Sequence, residues 1–204
     1  MNKWWSLLPG VLTTVLVSLT GLVLIPNWHF QELKPVADAD GVLHPVRPDS
    51  TVLQGRQVYI AEGCIYCHSQ QVRAADFGAD IDRNWGTRRS VARDYIFDRP
   101  HLMGTMRTGP DLTNIGARQT SSQWQYLHLY NPQLTSPGSI MPPFSFLFKV
   151  VEKRGDAPVG AVDLPANGSP NGRPAWLIPT SRAELLFYYL MSLDQSYDLP
   201  EAHQ

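Results

Sequence analysis

The sequence predicts a mostly α-helical protein, in which a single N-terminal membrane-spanning helix precedes a helical domain with long irregular loops. One uncharged apolar run near the N-terminus predicts the span, and three later segments have helical periodicity. The 17 Pro and 15 Gly among 204 residues indicate much irregular backbone between the helices. With 17 basic against 18 acidic residues, the net charge of −1 excludes the basic footprint of a nucleic-acid-binding protein.

The apolar run WWSLLPGVLTTVLVSLTGLVLI, residues 4–25, is the predicted membrane span. At about 1.5 Å per residue it covers roughly 33 Å, enough to cross a hydrocarbon core of about 30 Å. Tryptophans at positions 4, 5 and 28 flank it, where their rings favour the headgroup level. A cleaved signal peptide is the alternative, but its apolar core would be unusually long, and the small-x-small site at 37–39 lies far beyond the run.

The chain is expected to divide into an anchor over 1–30, a tether over 31–49 and a folded domain over 50–204. The tether is polar with three prolines, as in an extended linker. Within the domain, residues 69–110 show no sustained period and are predicted to be loops, and 155–174, with four Gly and four Pro, is predicted to be a flexible excursion. The first predicted helix, Val52–Glu62, begins with a Thr51–Gln54 capping box and ends at Gly63. The second, Ser121–Tyr130, is ended by Asn131-Pro132. The third, Glu184–Leu193, begins with a Ser181–Glu184 capping box.

The first and last helices of the domain are expected to cross closely. Gly55 and Tyr59 lie four residues apart on one face of the first helix, and a glycine there lets another backbone approach. The last helix, with Tyr188 and Tyr189, is the expected partner.

The motif Cys64-Ile65-Tyr66-Cys67-His68 contains both cysteines of the chain. Its spacing is that of covalent haem c attachment, in which both thiols reach the vinyl groups on one porphyrin edge and the next residue places an imidazole on the iron. A redox-active cysteine pair or half of a zinc site are the alternatives. The zinc site lacks further cysteine ligands, and the redox pair lacks its βαβ context. One motif predicts one haem c, with His68 as the proximal ligand.

The axial imidazole needs a hydrogen-bond partner and the iron needs a sixth ligand. The carbonyl of Pro110 is the candidate acceptor for His68, although Gly109-Pro110 is also consistent with a simple turn. Met141, stiffened by two following prolines, is the favoured sixth ligand. The alternatives left open are Met103, Met106, His101 and His128.

Histidine–methionine ligation fills both axial positions and raises the reduction potential, which favours electron transfer over bond chemistry. A haem enzyme or gas sensor would instead need an open iron position. Haem propionates favour charge-assisted hydrogen bonds, and the arginines considered for them are Arg73, Arg107 and Arg118.

Several segments together resemble the monohaem cytochrome c subunit of cbb3-type cytochrome c oxidases. They are GRQVYIAEGCIYCHSQQVR (55–73), FDRP (97–100), RTGPDL (107–112), HLYNP (128–132) and MP (141–142). The order of these segments and the N-terminal anchor are also similar. The likeness covers most of 1–148 and the last helix.

The resemblance implies a class I cytochrome c domain on the periplasmic side of the bacterial inner membrane, with His68 and Met141 as axial ligands. It implies a non-catalytic subunit of the respiratory chain that relays electrons to the haem–copper catalytic subunit, which reduces oxygen. The electron donor would be another cytochrome c subunit or a soluble cytochrome c. The cytochrome c subunit of a nitric oxide reductase and a free-standing membrane-tethered electron shuttle are the alternatives.

Overall fold

The computed structural model describes residues 4–203. Its α-helices are α1 (Trp4–Leu19), α2 (Ile25–Glu32), α3 (Ser50–Ala61), α4 (Ile115–Arg118), α5 (Ser122–Tyr130) and α6 (Ser181–Ser192). Its strands are β1 (Val36–Ala37), β2 (Leu43–His44), β3 (Phe148–Glu152), β4 (Val162–Leu164) and β5 (Ala175–Pro179). The chain divides into two compact units, one formed by the residues up to Val46 with Val91–Arg99, and the other by Arg47–Ser90 with the residues from Pro100 onward.

The first unit is dominated by one long apolar helix. α1, a π-helical turn at Thr20–Leu24 and α2 follow one another without a break. The stretch Leu7–Glu32, 26 residues, is long and apolar enough to span a membrane, and none of it is buried within the protein. The helix therefore continues past the predicted end at residue 25. The π-helical turn precedes Pro26, whose ring would clash with the carbonyl four residues earlier in a regular α-helix, so the wider turn accommodates it.

The polar stretch after this helix, predicted to be an extended tether, contains a short hairpin. β1 and β2 pair antiparallel, with Val36 opposite His44. The Asp38 carboxylate accepts hydrogen bonds from the backbone N–H groups of Asp40 and Val42, and the His44 ring lies 2.9 Å from it. The contact with His44 holds the pKa of Asp38 below its usual value. This local side-chain network organises the turn, as Asp commonly does.

The segment Val91–Arg99 belongs to the same unit as the apolar helix. It contains a 3₁₀ turn at Ala92–Tyr95, in which the Asp94 carboxylate accepts from the Val91 N–H at 2.8 Å. Arg93 donates to the carbonyl of Lys34. Arg99 lies over the ring of Phe30, 5.4 Å from its centroid. These contacts join the segment to the end of the apolar helix and to the residue Lys34 that follows it.

The second unit is built on a close crossing of α3 and α6. A Cβ placed on Gly55 would lie 1.9 Å from the carbonyl oxygen of Leu185, so the two backbones are separated by no side chain at this point. The rings of Tyr59 and Tyr189 pack beside the crossing with centroids 5.2 Å apart, and both residues are buried. The expected crossing is confirmed. Tyr188, however, is on the exposed face of α6.

The helix ends follow local capping rules, with two corrections. The sequence predicts Thr51 and Ser181 as N-caps, but the side chains of Asp49 and Thr180 accept the capping hydrogen bonds, from the N–H groups of Val52 and Ala183. Both residues have extended backbone angles, as an N-cap requires, whereas Thr51 and Ser181 already lie inside their helices. Gly63 ends α3 as predicted, with φ of +74° in the left-handed region.

A three-stranded antiparallel sheet, which the sequence analysis did not anticipate, lies between α5 and α6 in the chain. Its order is β3-β5-β4, and β4 falls within the excursion predicted over 155–174. The sheet joins the core, since Phe148 packs edge-on against Tyr126 and Tyr130 of α5, with ring centroids 5.8 and 6.0 Å apart. β5 buries every second residue, but its sequence AWLIP is apolar throughout and carries no alternation from which the strand could have been predicted.

Gly55→Ala is expected to lower the free energy of unfolding by about 1–3 kcal/mol, because the new methyl group overlaps the α6 backbone and forces the helices apart. This change in the free energy of unfolding is measured by urea unfolding of the detergent-solubilised chain, monitored by near-ultraviolet circular dichroism. Gln57→Ala is the matched control, an exposed position on the same helix, and should change the stability by less than about 0.5 kcal/mol. Equal stability of the two variants would contradict the close crossing.

Candidate haem site

The C-x-x-C-H motif forms a compact turn at the end of α3. After Gly63 the chain enters a 3₁₀ turn at Cys64–Tyr66. The carbonyl of Cys64 accepts hydrogen bonds from the N–H groups of Cys67 and His68, at 3.2 and 3.0 Å. This folding brings two thiols and one imidazole together within one turn, as attachment to one porphyrin edge requires.

The two thiols are unpaired and differ in environment. Cys64 is half-buried and Cys67 is exposed, and no disulfide joins them. Burial raises the pKa of the Cys64 thiol to about 12, with smaller effects from Glu62 and Cys67. A free thiolate is therefore disfavoured at this position, which argues against a redox nucleophile. An uncharged thioether suits the same environment.

The hydrogen bond predicted for the axial histidine is present. Nδ1 of His68 lies 2.8 Å from the carbonyl oxygen of Pro110, and because a carbonyl can only accept, the proton is on Nδ1. Burial lowers the pKa of His68, while this hydrogen bond and the charge of Asp111 act in the opposite direction. The ring is thus a neutral imidazole whose Nε2 carries a lone pair, the form that binds a metal.

Two chain segments enclose the imidazole. A Cβ on Gly109 would lie 2.3 Å from Cε1 of His68, so the glycine allows the backbone to pack against the ring. The Gly109 N–H donates to the Cys67 carbonyl and the Leu112 N–H to the Ser69 carbonyl, both at 2.9 Å. The segments 67–69 and 109–112 are therefore held together on either side of the His68–Pro110 hydrogen bond. This set of contacts is called the proximal bracket below.

Met141 lies in a loop that is attached to α5. It is half-buried and packs against the core, and the Phe144 N–H three residues later donates to the Leu129 carbonyl at 2.8 Å. The neighbouring α5 residue His128 stacks on Trp124. The pKa of His128 is lowered mainly by burial and to a smaller extent by the electrostatic effect of His68. His128 of α5 is consequently close enough to His68 for direct electrostatic interaction.

The other candidates for a sixth ligand occupy different surroundings. Met103, Met106 and His101 are exposed. The carbonyl of Met103 accepts from the N–H of Gln70 at 2.7 Å, so Met103 lies beside the residues that follow His68. Nδ1 of His128 is 2.6 Å from the Thr135 hydroxyl.

The three arginines considered for the propionates all have contacts within the protein. Arg107 forms a two-pronged ion pair with Asp80, at 2.7 and 2.8 Å, and its guanidinium lies over Trp85. Arg118 donates to the carbonyl of Asp111. Arg73 lies over the ring of Phe77. A propionate contact remains a prediction for each of them.

Two carboxylates in this region were missed by the sequence analysis. Asp80 is 4% exposed and Asp111 is 0% exposed, and neither had been assigned a role. Buried carboxylates are rare unless they are paired or hydrogen-bonded. For Asp111, its position directly after Pro110 in the RTGPDL segment was the available signal. Asp80 lies in a stretch without periodicity, and the sequence there carried no signal of its burial.

These residues fit a covalently bound haem. The thiols are unpaired, the imidazole is neutral with one nitrogen already engaged, and Gly109 leaves room for the ring to stand between the two segments. A helical domain in which the first and last helices cross beside such a turn defines the class, a c-type cytochrome.

The comparison with protein families identifies the particular kind. The family described as cytochrome c oxidase, mono-heme subunit/FixO matches residues 4–159, and the chain belongs to this family. The match agrees with the resemblance to the monohaem subunit of cbb3-type oxidases. A comparison with curated proteins finds no match.

Gly109→Ala is expected to displace the His68 imidazole from the Pro110 carbonyl, because its methyl group would overlap the ring. The haem-loaded variant should show a smaller low-spin fraction than the wild type in its ferric absorption spectrum. Gly10→Ala, at a helical glycine with nothing within 4 Å of the added Cβ, is the matched control and should leave the spectrum unchanged. An unaltered low-spin spectrum in Gly109→Ala would contradict the packing described for the ring.

Proposed function

We propose that this chain is the electron-entry relay of a cbb3-type terminal oxidase. Cys64 and Cys67 hold one haem c through thioether bonds, and His68 and Met141 are its axial ligands. The haem, when bound, supplies a one-electron ferric/ferrous couple. The observation that carries the proposal is the His68–Pro110 hydrogen bond, which leaves Nε2 for iron directly beside the two attachment thiols.

The chain's own residues keep this couple free of bond chemistry. The proximal bracket holds the imidazole, and the hydrogen bond from the Phe144 N–H to the Leu129 carbonyl holds the loop that carries Met141. His68 and Met141 would together hold the iron without leaving a position for a substrate, and the neutral sulfur of Met141 would favour its ferrous state. Met141 is preferred over Met103 because the latter lies beside the residues following His68, on the histidine side.

The apolar helix over Leu7–Glu32, which is long enough to span a membrane, supports an anchored position for this chain. We place the haem domain on the periplasmic side of the bacterial inner membrane, with Lys3 on the opposite side. The helix packs against the haem–copper catalytic subunit, which receives the electrons and reduces oxygen. The donor is another cytochrome c subunit or a soluble cytochrome c. Membership of the mono-heme subunit family supports this assembly.

Met141→Ala is expected to lower the reduction potential and to open one axial position, because the soft sulfur that stabilises ferrous iron is lost. Redox titration and carbon monoxide binding by the reduced full-length chain measure both effects. Haem should remain covalently attached, and Met103→Ala is the matched control that should leave potential and spectrum unchanged. If the two variants behave alike, Met141 is not the ligand.

Cys64→Ser with Cys67→Ser should abolish covalent haem, measured by haem staining after denaturing electrophoresis.

Oxygen uptake, with no nitric oxide uptake, is the expected activity of the purified membrane complex that contains this chain. Nitric oxide consumption would instead assign the chain to a nitric oxide reductase. A chain that purifies from the membrane without any partner would support a free-standing shuttle.

A further inference from the structure

A fully buried carboxylate lies next to the acceptor of the axial histidine. Asp111 directly follows Pro110 and is 0% exposed. Its Oδ2 accepts hydrogen bonds from the hydroxyl of Ser69 at 2.7 Å and from the N–H of Gln71 at 2.8 Å. Its Oδ1 accepts from the N–H of Thr113 at 2.8 Å. All three partners donate a hydrogen, which is the pattern expected of an ionised carboxylate.

The contacts of Asp111 extend the proximal bracket. Ser69 and Gln71 follow His68 on one segment, whereas Thr113 follows Pro110 on the other. One carboxylate therefore ties both segments together immediately beyond the histidine and its acceptor. A movement of Asp111 would shift the Pro110 carbonyl and with it the imidazole.

Arg107, the buried positive charge near Asp111, also pairs with a second carboxylate, Asp80. Nη2 of Arg107 lies 3.9 Å from Asp111 Oδ2, but the same guanidinium makes its two-pronged ion pair with Asp80. The side chains of Asp80 and Arg107 are 5% and 16% exposed. The Arg118 guanidinium donates to the main-chain carbonyl of Asp111, and burial lowers the pKa of Arg118 while the charge of Asp111 acts in the opposite direction, so Arg118 is a second positive charge beside Asp111.

The Asp111 carboxylate lies close to the imidazole along both segments. It follows Pro110, the acceptor of the His68 Nδ1 hydrogen bond, and it accepts from Ser69, the residue after His68. In a region of low effective dielectric, a fixed negative charge also stabilises the extra positive charge of a ferric iron bound to that imidazole. Arg107 has the opposite sign and therefore the opposite effect.

We propose that Asp111 is a positioning residue that orients the His68 imidazole and lowers the reduction potential of the site, with Arg107 as the opposing charge. This inference rests on the proposed function, because it requires a haem on His68. Charges on the histidine side of the site would then tune the reduction potential, even while the geometry of the two ligands stays the same.

The test compares Asp111→Asn and Arg107→Gln in the full-length, haem-loaded chain by redox titration. Asp111→Asn removes a negative charge and should raise the midpoint potential, whereas Arg107→Gln removes a positive charge and should lower it. Each change should alter the ferric-to-ferrous ratio at a fixed ambient potential at least about tenfold, which is about 59 mV for a one-electron couple. Asp163→Asn, at an exposed ion pair with Lys153, is the matched control and should not change the potential.

Opposite signs distinguish this role from a merely structural one, because loosening of the site would shift both variants in the same direction. If Asp111→Asn does not accumulate as folded protein, Asp80→Asn replaces it and should also raise the potential. Unchanged potentials, or shifts of one sign in both charge variants, would overturn the inference while leaving the relay function intact. A wild-type chain without covalent haem would overturn the proposed function itself.

Discussion

The close crossing of α3 and α6 is the constraint on which the rest of the haem domain depends. Because Gly55 has no side chain, the two helices approach until backbone meets backbone, and Tyr59 and Tyr189 fill the space beside them. The crossing then reaches the site through two contacts. α3 leads into the C-x-x-C-H turn, and the Tyr189 hydroxyl donates to the Gln70 side chain at 3.0 Å, two residues beyond His68. The packing of α3 against α6 thus helps to position His68.

Around the histidine, hydrogen bonding replaces regular secondary structure. Residues 67–71 and 109–113 form neither helix nor sheet, yet their backbone groups pair with each other and with the Asp111 carboxylate. Buried polar groups of this kind are stabilising only when all of them are satisfied, so the bracket forms as a unit. A rigid histidine side suits electron transfer, because a site that changes little between oxidation states has little to reorganise.

The residues between the apolar helix and α3 are more ordered than a polar linker would be. The hairpin around Asp38 and the contacts of Arg93 and Arg99 organise the residues after the apolar helix without an extended hydrophobic core. A folded segment at this position suits a subunit that delivers electrons to a fixed partner in the same complex. A shuttle that must travel between partners would be served better by a long flexible chain.

The sequence by itself determined the features that depend on local chemistry. The apolar helix, the helix-ending Gly63, the C-x-x-C-H turn and the Gly55 packing site are all encoded in neighbouring residues whose spacing carries the physical requirement. Only the tertiary structure decided the pairing of Asp80 with Arg107, the burial of Asp111 and the strand order β3-β5-β4. These depend on contacts between residues far apart in the chain, and a single sequence holds no periodic signal for such contacts.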